Sequence, residues 1–579
     1  MEKEKILLDK KKKKKILTAS IGQCVHVAGA YNFIQIAKQL NFDCYFLGPA
    51  TPNLKIIEKV KELHPDIVGL SYRLTPETVK PILTKFFKEY NQLEDKPKYL
   101  LFAGTAEVVD IAKRFSEFNH FFVGGESRYE ILSILKKSEV KSNQSNQIPM
   151  DLINRIKWKK PFPIIRAHFG LPNLDDTING IKRISDAKIL DVISIAPDQN
   201  TQANYYHLED IDEELSGAGG VPLSSRKDFI KLHKARLRGN YPMLRIYAGT
   251  RDFIKLGQLY LDTIKNAWAA IPIFWFNQMD GRGPLSLKVS IKRHLEAIKW
   301  HANQNIPVEI NDAHHWSLRN APDAIAVADM YLCGIIAKNL GVKHFIAQYM
   351  FNTPSSLSLD MDLAKMLAKN ELLQTLVDDN FEVIKQVRTG LASFPLDLSK
   401  AKGQLAVATM IQLALQPDII HVVSYSEADH AALPEDIIQS CKIVDQVINQ
   451  YSQSKLRYIN NAIIERKNQL IKEAKLIINL IPNLVKNTDE AHNPYIHYKV
   501  LNRLVKYGIF DAPHLKSNKF ALGEIETRII NGACYSWNSI QNKVYEEINR
   551  IEEIDERIPE LDLLNLKNFK RNLISTVID

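Results

Sequence analysis

The sequence is short of cysteine. Its five cysteines in 579 residues, at positions 24, 44, 333, 441 and 534, are scattered and form no CxxC pair. That excludes a zinc ribbon or a cysteine-held iron–sulfur cluster. An odd, sparse set is also no disulfide framework, so the reading is a reducing, cytoplasmic compartment. Glycine (24) and proline (25) are too few for a collagen-like or broadly disordered chain. No run approaches the roughly 18 apolar residues of a membrane span, and the first residues lack the apolar core of a signal peptide. What is there is a globular composition, 45% apolar and 25% charged. At about 100–200 residues per domain this length predicts two to four domains.

The net charge is +10, and Met1–Lys15, with eight lysines against three acids, supplies +5 of it. No aromatic residue interleaves with these lysines, as a base-stacking surface would require. Residues 1–15 therefore read as a solvated basic tail, and neither nucleic acid nor a membrane is an expected partner.

From residue 16 to about 137, short apolar runs (Ile16–Ser20, Asp43–Leu47, Ile67–Ser71, Tyr99–Ala103, Phe121–Val123) alternate with helical patterns. That alternation predicts a doubly wound parallel sheet with ligands at the carboxyl ends of its strands. Residues 138–160 begin Ser/Asn/Gln-rich and read as a linker. Over 161–450 the alternation restarts with eight strand candidates, each followed by a helix: Pro163–His168, Asp191–Ala196, Met243–Gly249, Ile271–Asn277, Pro307–Asn311, His344–Tyr349, Val383–Thr389 and Ile419–Tyr425. Eight such units over about 290 residues predict a (β/α)8 barrel. Residues 451–579 read as a mainly helical C-terminal region.

Barrel chemistry gathers at the C-terminal ends of the strands. There the sequence places Arg166 and His168, Asp198, Arg245 and Tyr247, Asn277 and Gln278, Asn311–His315, Gln348, Arg388, Ser424, Glu427 and His430. Two arginines inside near-apolar strands, Arg166 and Arg245, form either structural pairs with acids inside the barrel or a carboxylate-binding mouth. Adjacent His314 and His315 point different ways, which argues against a zinc pair. An acid–base, hydrogen-bonding or packing role is left for them. In the N-terminal domain, His26 between a strand and a helix could be a phosphate-loop residue, a metal ligand or a surface residue. Gly22 and Gly29 do not make a GxGxxG dinucleotide fingerprint.

Cys24-Val25-His26-Val27-Ala28-Gly29 fits, except at its first position, the DxHxxG loop of the cobalamin-binding domain shared by methionine synthase and the adenosylcobalamin mutases. Gly69–Leu74, with Ser71 and Leu74, resembles that family's second loop. Phe102-Ala103-Gly104-Thr105 and Val123-Gly124-Gly125 resemble its glycine-rich edges. The resemblance implies His-on cobalt binding through His26, with Cys24, Gly29, Ser71, Leu74, Gly104, Thr105, Gly124 and Gly125 around the cofactor. In place of the aspartate that accepts the imidazole N–H stands Cys24.

Residues of roughly 166–535 resemble the large subunit of glutamate mutase (methylaspartate mutase). Arg166 and Arg245 resemble two arginines of that family's substrate claw, the third falling near Gln202. Asn277-Gln278 stands where the family has Asn-Glu, and Gly508–Pro513 with Asn518–Gly523 resembles a segment beside the cofactor's adenosyl group. The resemblance implies an adenosylcobalamin-dependent radical isomerase, with Arg166, Arg245, Gln202 and Asn277 binding a small carboxylate and Gln278 meeting a second polar group of the substrate; Tyr247 and His314, from their places at barrel-strand ends, are assigned to the same reacting centre. It allows a homodimer. A claw with one arginine fewer, and glutamine for glutamate, implies an acid with one carboxylate fewer than glutamate or a neutral group in place of its amine. The alternatives are a non-catalytic cobalamin binder or sensor and a corrinoid methyltransferase. The latter is expected to carry a helical cap ahead of its cobalamin domain, for which residues 1–15 leave no room.

Overall fold

The computed structural model describes residues 13–139, 148–454 and 459–558. Most of the basic tail, most of the Ser/Asn/Gln-rich stretch and the last 21 residues lie outside them. The described residues fall into two compact units, the first within Met1–Gln147 and Ser452–Lys455 and the second within Ile148–Tyr451 and Leu456–Asp579.

The first unit is a five-stranded parallel sheet: β1 Lys15–Ser20, β2 Asp43–Phe46, β3 Ile67–Tyr72, β4 Tyr99–Gly104 and β5 His120–Phe122. Its spatial order is β2-β1-β3-β4-β5. A parallel sheet is covered on both faces, so its strands are apolar throughout rather than alternating. Leu17, Val68, Leu70, Leu100 and Phe102 accordingly pack with Leu83, Phe86 and Phe87 of the helix Pro76–Tyr90 in one core. At the end of β4 Gly104 is sterically required, because a Cβ there would lie 2.7 Å from the Tyr72 carbonyl oxygen.

The second unit is an eight-stranded parallel barrel: β6 Ile164–Phe169, β7 Val192–Ile195, β8 Met243–Arg245, β9 Ala269–Ala270, β10 Val308–Glu309, β11 His344–Phe351, β12 Glu382–Thr389 and β13 Ile419–Val422. The ladder runs β8-β7-β6-β13-β12-β11-β10-β9. The remaining seam is bridged where the Ala267 amide donates to the Leu244 carbonyl at 2.9 Å. Side chains alternate in and out along a strand, and the inward set changes character within one step. Ile164, Met243, Ile346, Ile384 and Ile419 form an apolar layer with Trp268, floored by Leu152 and Ile156. Two residues further along each strand come Arg166, Arg245, Gln348, Gln386 and His421, all buried.

The fourth strand departs from expectation. It occupies only Ala269–Ala270, and residues 271–277 run on as a loop. The cause is Asp312, whose carboxylate accepts the amides of Ile273 and Phe274 and so takes backbone donors that a ladder would use. Asn173 caps the helix Leu174–Asp186 with its side-chain oxygen on the amides of Asp175 and Asp176, at 2.8 and 3.0 Å. Asn173→Ala is expected to cost about 1 kcal/mol, read as a lower denaturant midpoint.

The C-terminal region is helical over Asn461–Asn479 and Tyr498–Lys506, and it adds a small antiparallel sheet: β14 Thr527–Ile530, β15 Ala533–Asn538 and β16 Lys543–Val544. Asn531 and Gly532 both take positive φ (49° and 79°), the turn that an Asn-Gly pair favours in a two-residue hairpin. Asp323 ties this region to the barrel. Its carboxylate accepts from Arg466 at 3.3 Å and from the Cys534 amide at 2.9 Å, and it pairs with Lys365 at 3.3 Å. No helix among the described residues is long and apolar enough to cross a membrane.

Candidate functional site

Two places in the chain gather polar side chains without spending them on structure. The first is the carboxyl edge of the five-stranded sheet. Here β1 leads into a loop held by the Ser20 hydroxyl, which donates to the Cys24 carbonyl at 2.8 Å. Cys24 is fully buried, and its sulfur accepts the Arg73 amide at 3.3 Å. His26 is exposed, with Nδ1 3.7 Å from that sulfur. A ring held at Nδ1 presents Nε2 outward as a potential ligand. Ser71 and Thr18 are buried, and neither hydroxyl has a hydrogen-bond partner among the described residues. Buried polar atoms are normally satisfied, so two open hydroxyls on the adjoining strands β1 and β3 mark a place where a partner is missing. Gly29, Gly124 and Gly125 have open space where a side chain would stand. Thr105 is half-buried at the end of β4. The rim is apolar and exposed at Val25, Leu74 and Val123, while Glu126 holds the amides of Val123 and Gly124 at 2.5 and 2.9 Å. Eight of the nine residues assigned to a cofactor thus lie at β1, β3, β4 and β5 or in the loops that follow them, and Gly29 stands in the first turn of the helix Ala28–Gln39.

The second place is the barrel mouth, a cavity of about 380 Å³ lined by His168, Gln202, Tyr247, Arg282, Arg388, His421, Ser424 and Glu427 among others. Its floor carries a row of rings: Phe276 to Tyr247 at 6.0 Å, Tyr247 stacked on His168 at 5.6 Å, and His168 to His421 at 4.8 Å. Arg166 and Arg245 do not line the cavity. They lie within the barrel and converge on one oxygen of Glu309, at 3.5 and 3.2 Å, and Trp268 Nε1 donates to the same oxygen at 2.7 Å. Arg166 also donates to His168 Nε2 at 3.0 Å and His421 Nδ1 at 2.9 Å. Burial, followed by the Arg166 charge, holds both histidines well below the usual imidazole range, so they are neutral at pH 7. Burial by itself would raise the Tyr247 hydroxyl, but Arg245, Arg388 and Arg166 outweigh it and bring its pKa down.

The remaining residues assigned from the sequence are dispersed. Gln202 lines the cavity and donates to the Pro197 carbonyl at 3.0 Å. Asn277 is buried and closes its own loop, accepting from the Met279 amide at 2.9 Å and donating to the Phe274 carbonyl. Gln278 is exposed and donates to the Pro284 carbonyl at 2.7 Å. His314 is buried in the helix Asp312–Leu318, with Gln348 Nε2 3.1 Å from its Nδ1. Neither Asn277, Gln278 nor His314 lines the cavity. Glu309, Arg282 and His421 were not singled out by the sequence. The signal available was a charged or polar residue inside an apolar run, as in Val308-Glu309-Ile310 and Ile420-His421-Val422. The C-terminal segment meets the loop after β9, where Asn518 donates to the Met279 carbonyl at 2.7 Å and Phe510 packs edge-on to Phe274 at 5.6 Å.

Residues 286–557 match the family model of the methylaspartate mutase E chain (MutE). The MutE-like region begins after β9, so Arg166, Gln202, Arg245, Tyr247, Asn277 and Gln278 precede it, whereas Glu309, His314, Arg388, His421 and Glu427 fall inside it. Among solved structures, a cobalamin-binding protein from Desulfitobacterium hafniense DCB-2 is 27% identical over 19% of this chain and 53% of its own, with a TM-score of 0.17. The chain therefore spans about half the length of that protein. A GH138 enzyme targeting pectin rhamnogalacturonan II (8% identity, 86% of this chain and 60% of its own) has a TM-score of 0.31. The cobalamin-dependent S-adenosylmethionine radical enzyme OxsB (11% identity, 84% of this chain and 70% of its own) has one of 0.18. No curated protein sequence matches the chain.

Proposed function

We propose that this chain is an adenosylcobalamin-dependent carbon-skeleton mutase acting on a small carboxylic acid. The observation that carries the reading is the presence, in one chain, of a MutE-like barrel half and a parallel sheet whose first loop exposes a histidine fixed at one nitrogen. The loops fit the cofactor. His26 Nε2 would ligate the cobalt, the free hydroxyls of Ser71 and Thr18 would bond the nucleotide tail, and the apolar Val25–Leu74–Val123 rim would meet the corrin. When bound, the cofactor would supply a carbon radical able to remove hydrogen from an unactivated position. The barrel's own task is to bind the acid, orient it and keep water from it. Arg166 and Arg245 set the charge beneath the floor, Tyr247 offers its hydroxyl and Gln202 its amide to the cavity, and Asn277, Gln278 and His314 shape the loop and helix around it.

The test is a visible-spectrum titration of the purified protein with adenosylcobalamin, wild type beside His26→Ala. The expected result is a nitrogen-ligated, base-off-type spectrum that loses its nitrogen signature in the variant. Absence of binding would overturn the reading. Binding without turnover of any acid in a broad panel would leave the non-catalytic binder.

A further inference from the structure

We infer that His168 is a ligand-binding residue of the barrel mouth, giving its Nδ1–H to a carboxylate oxygen of the bound acid, and that Arg166 is a positioning residue acting through it. The inference rests on the mutase reading only in treating the barrel mouth as the substrate site.

The direction of one hydrogen bond fixes the ring. Arg166 Nη2 stands 3.0 Å from His168 Nε2. A guanidinium has donors and no acceptor, so Nε2 must offer its lone pair. A proton on Nε2 would set two N–H groups against each other at that distance. The Tyr247 hydroxyl, 3.5 Å from the same nitrogen, is too remote to compensate. His168 is neutral, and a neutral imidazole with a bare Nε2 carries its one proton on Nδ1. Arg166 Nη2 is shared with His421 Nδ1 at 2.9 Å, and Nη1 turns to Glu309. Arg166 thus spends these donors inside the barrel, and what it passes to the mouth is the proton position of a ring.

Nδ1 is the open end of that ring. The two hydrogen bonds of His168 are both made at Nε2, and Nδ1 makes none among the described residues. Nδ1 is not sealed in the interior either, unlike the partnerless Arg166 Nε. His168 is half-buried and lines the cavity, so the exposed part of this inward-facing residue opens there. Tyr247, stacked at 5.6 Å, and His421, tilted at 4.8 Å, hold the ring in place. The charged groups of the mouth already have counter-charges, Glu427 for Arg388 and Asp280 for Arg282. A neutral donor among them meets a carboxylate oxygen without adding net charge. Its proton and direction are set before the ligand arrives, so little ordering is lost on binding.

Heteronuclear NMR of the full chain labelled at histidine, without cobalamin, tests this. The His168 signals are assigned by their loss in His168→Asn. The expected result is a protonated Nδ1 and a bare Nε2 at pH 7. Propionate, succinate and L-glutamate are the probes, and at least one should shift the Nδ1 signal to saturation. Asn places an amide N–H where imidazole holds Nδ1, and Gln places it where imidazole holds Nε2. His168→Asn should therefore keep the affinity for that acid within about threefold, while His168→Gln should lose about tenfold or more, the worth of a charge-assisted bond. Arg166→Met should leave a mixture of tautomers at His168. If that variant does not fold, the wild-type tautomer and the Asn–Gln pair still decide. A proton on Nε2 in wild type, no shift with any of the three acids, or Gln binding as well as Asn would overturn the inference. An unchanged tautomer in a folded Arg166→Met protein would overturn the role of Arg166. Acid binding at a protonated Nδ1 in a chain that takes no cobalamin would overturn the mutase reading alone, and cobalamin binding with the proton on Nε2 would overturn this inference alone.

Discussion

Glu309→Gln is expected to cost the barrel about 3–5 kcal/mol, because it removes the one partner of a buried charge group and leaves the opposite charges in place. The side chains of Glu309, Arg166 and Arg245 are no more than 1% exposed. Amide for carboxylate preserves shape and leaves one oxygen to accept from Trp268, while it removes the charge and exchanges the second acceptor for a donor. Two guanidiniums would then face each other across the barrel with no anion between them. Unfolding followed through Trp268, whose indole N–H donates to Glu309, reads the change directly. The double variant Glu309→Gln/Arg245→Met should recover much of the loss by removing the repulsion. A single variant within about 1 kcal/mol of wild type would show that the carboxylate is not what holds the arginines.

The same group sets an acid limb. Burial would raise the Glu309 carboxyl, but Arg245 and Arg166, with the donors Trp268 and Gln386, hold it below the usual carboxylate value. Its folded pKa therefore lies below its unfolded one. The stability it contributes is complete above the unfolded value of about 4.3 and is lost as pH falls from there through the folded pKa. Wild type should lose barrel stability progressively on acidification below about pH 4.5, and Glu309→Gln should lack that component.

Why Glu309 escaped sequence reading is physical. An arginine in an apolar strand announces a buried cation, but its partner is 143 positions away for Arg166 and is met only across a closed barrel. The strand alternation itself was legible: the five strands of the first sheet and seven of the eight barrel strands lie where runs such as Ile67–Ser71 and Ile419–Tyr425 place them. The exception, residues 271–277, is as apolar as a strand, and only a carboxylate 39 positions downstream turns it into a loop. The hairpin at Asn531-Gly532 was legible and unread, since that pair between Ile530 and Ala533 is a strong local turn signal. The mouth was legible as a list of strand-end residues. Which of them face one cavity was not, because a residue such as Gln278 leaves the mouth by a loop geometry that periodicity does not describe.

Cys24→Asp is expected to tighten cobalamin binding by about tenfold to a hundredfold, the range by which partners of a metal-bound histidine tune affinity. The sulfur already occupies the acceptor's place, 3.7 Å from His26 Nδ1 and accepting the Arg73 amide at 3.3 Å. Sulfur is a weak acceptor, so the thiol orients the ring while adding little to its basicity. A carboxylate at the same position would accept both N–H groups through charge-assisted bonds, and the Arg73 amide would offset part of the cost of placing a charge at a fully buried site. Cys24→Ala supplies the opposite arm: the ring loses its acceptor, Nε2 loses its fixed direction, and the nitrogen-ligated fraction should fall. Equilibrium titration with adenosylcobalamin, read by the visible spectrum, should order the three proteins Asp over Cys over Ala. If Cys24→Ala and Cys24→Asp both bind as wild type while His26→Ala does not, the ring is held by something other than the sulfur. If all three retain the nitrogen signature when combined with His26→Ala, the ligand is not His26.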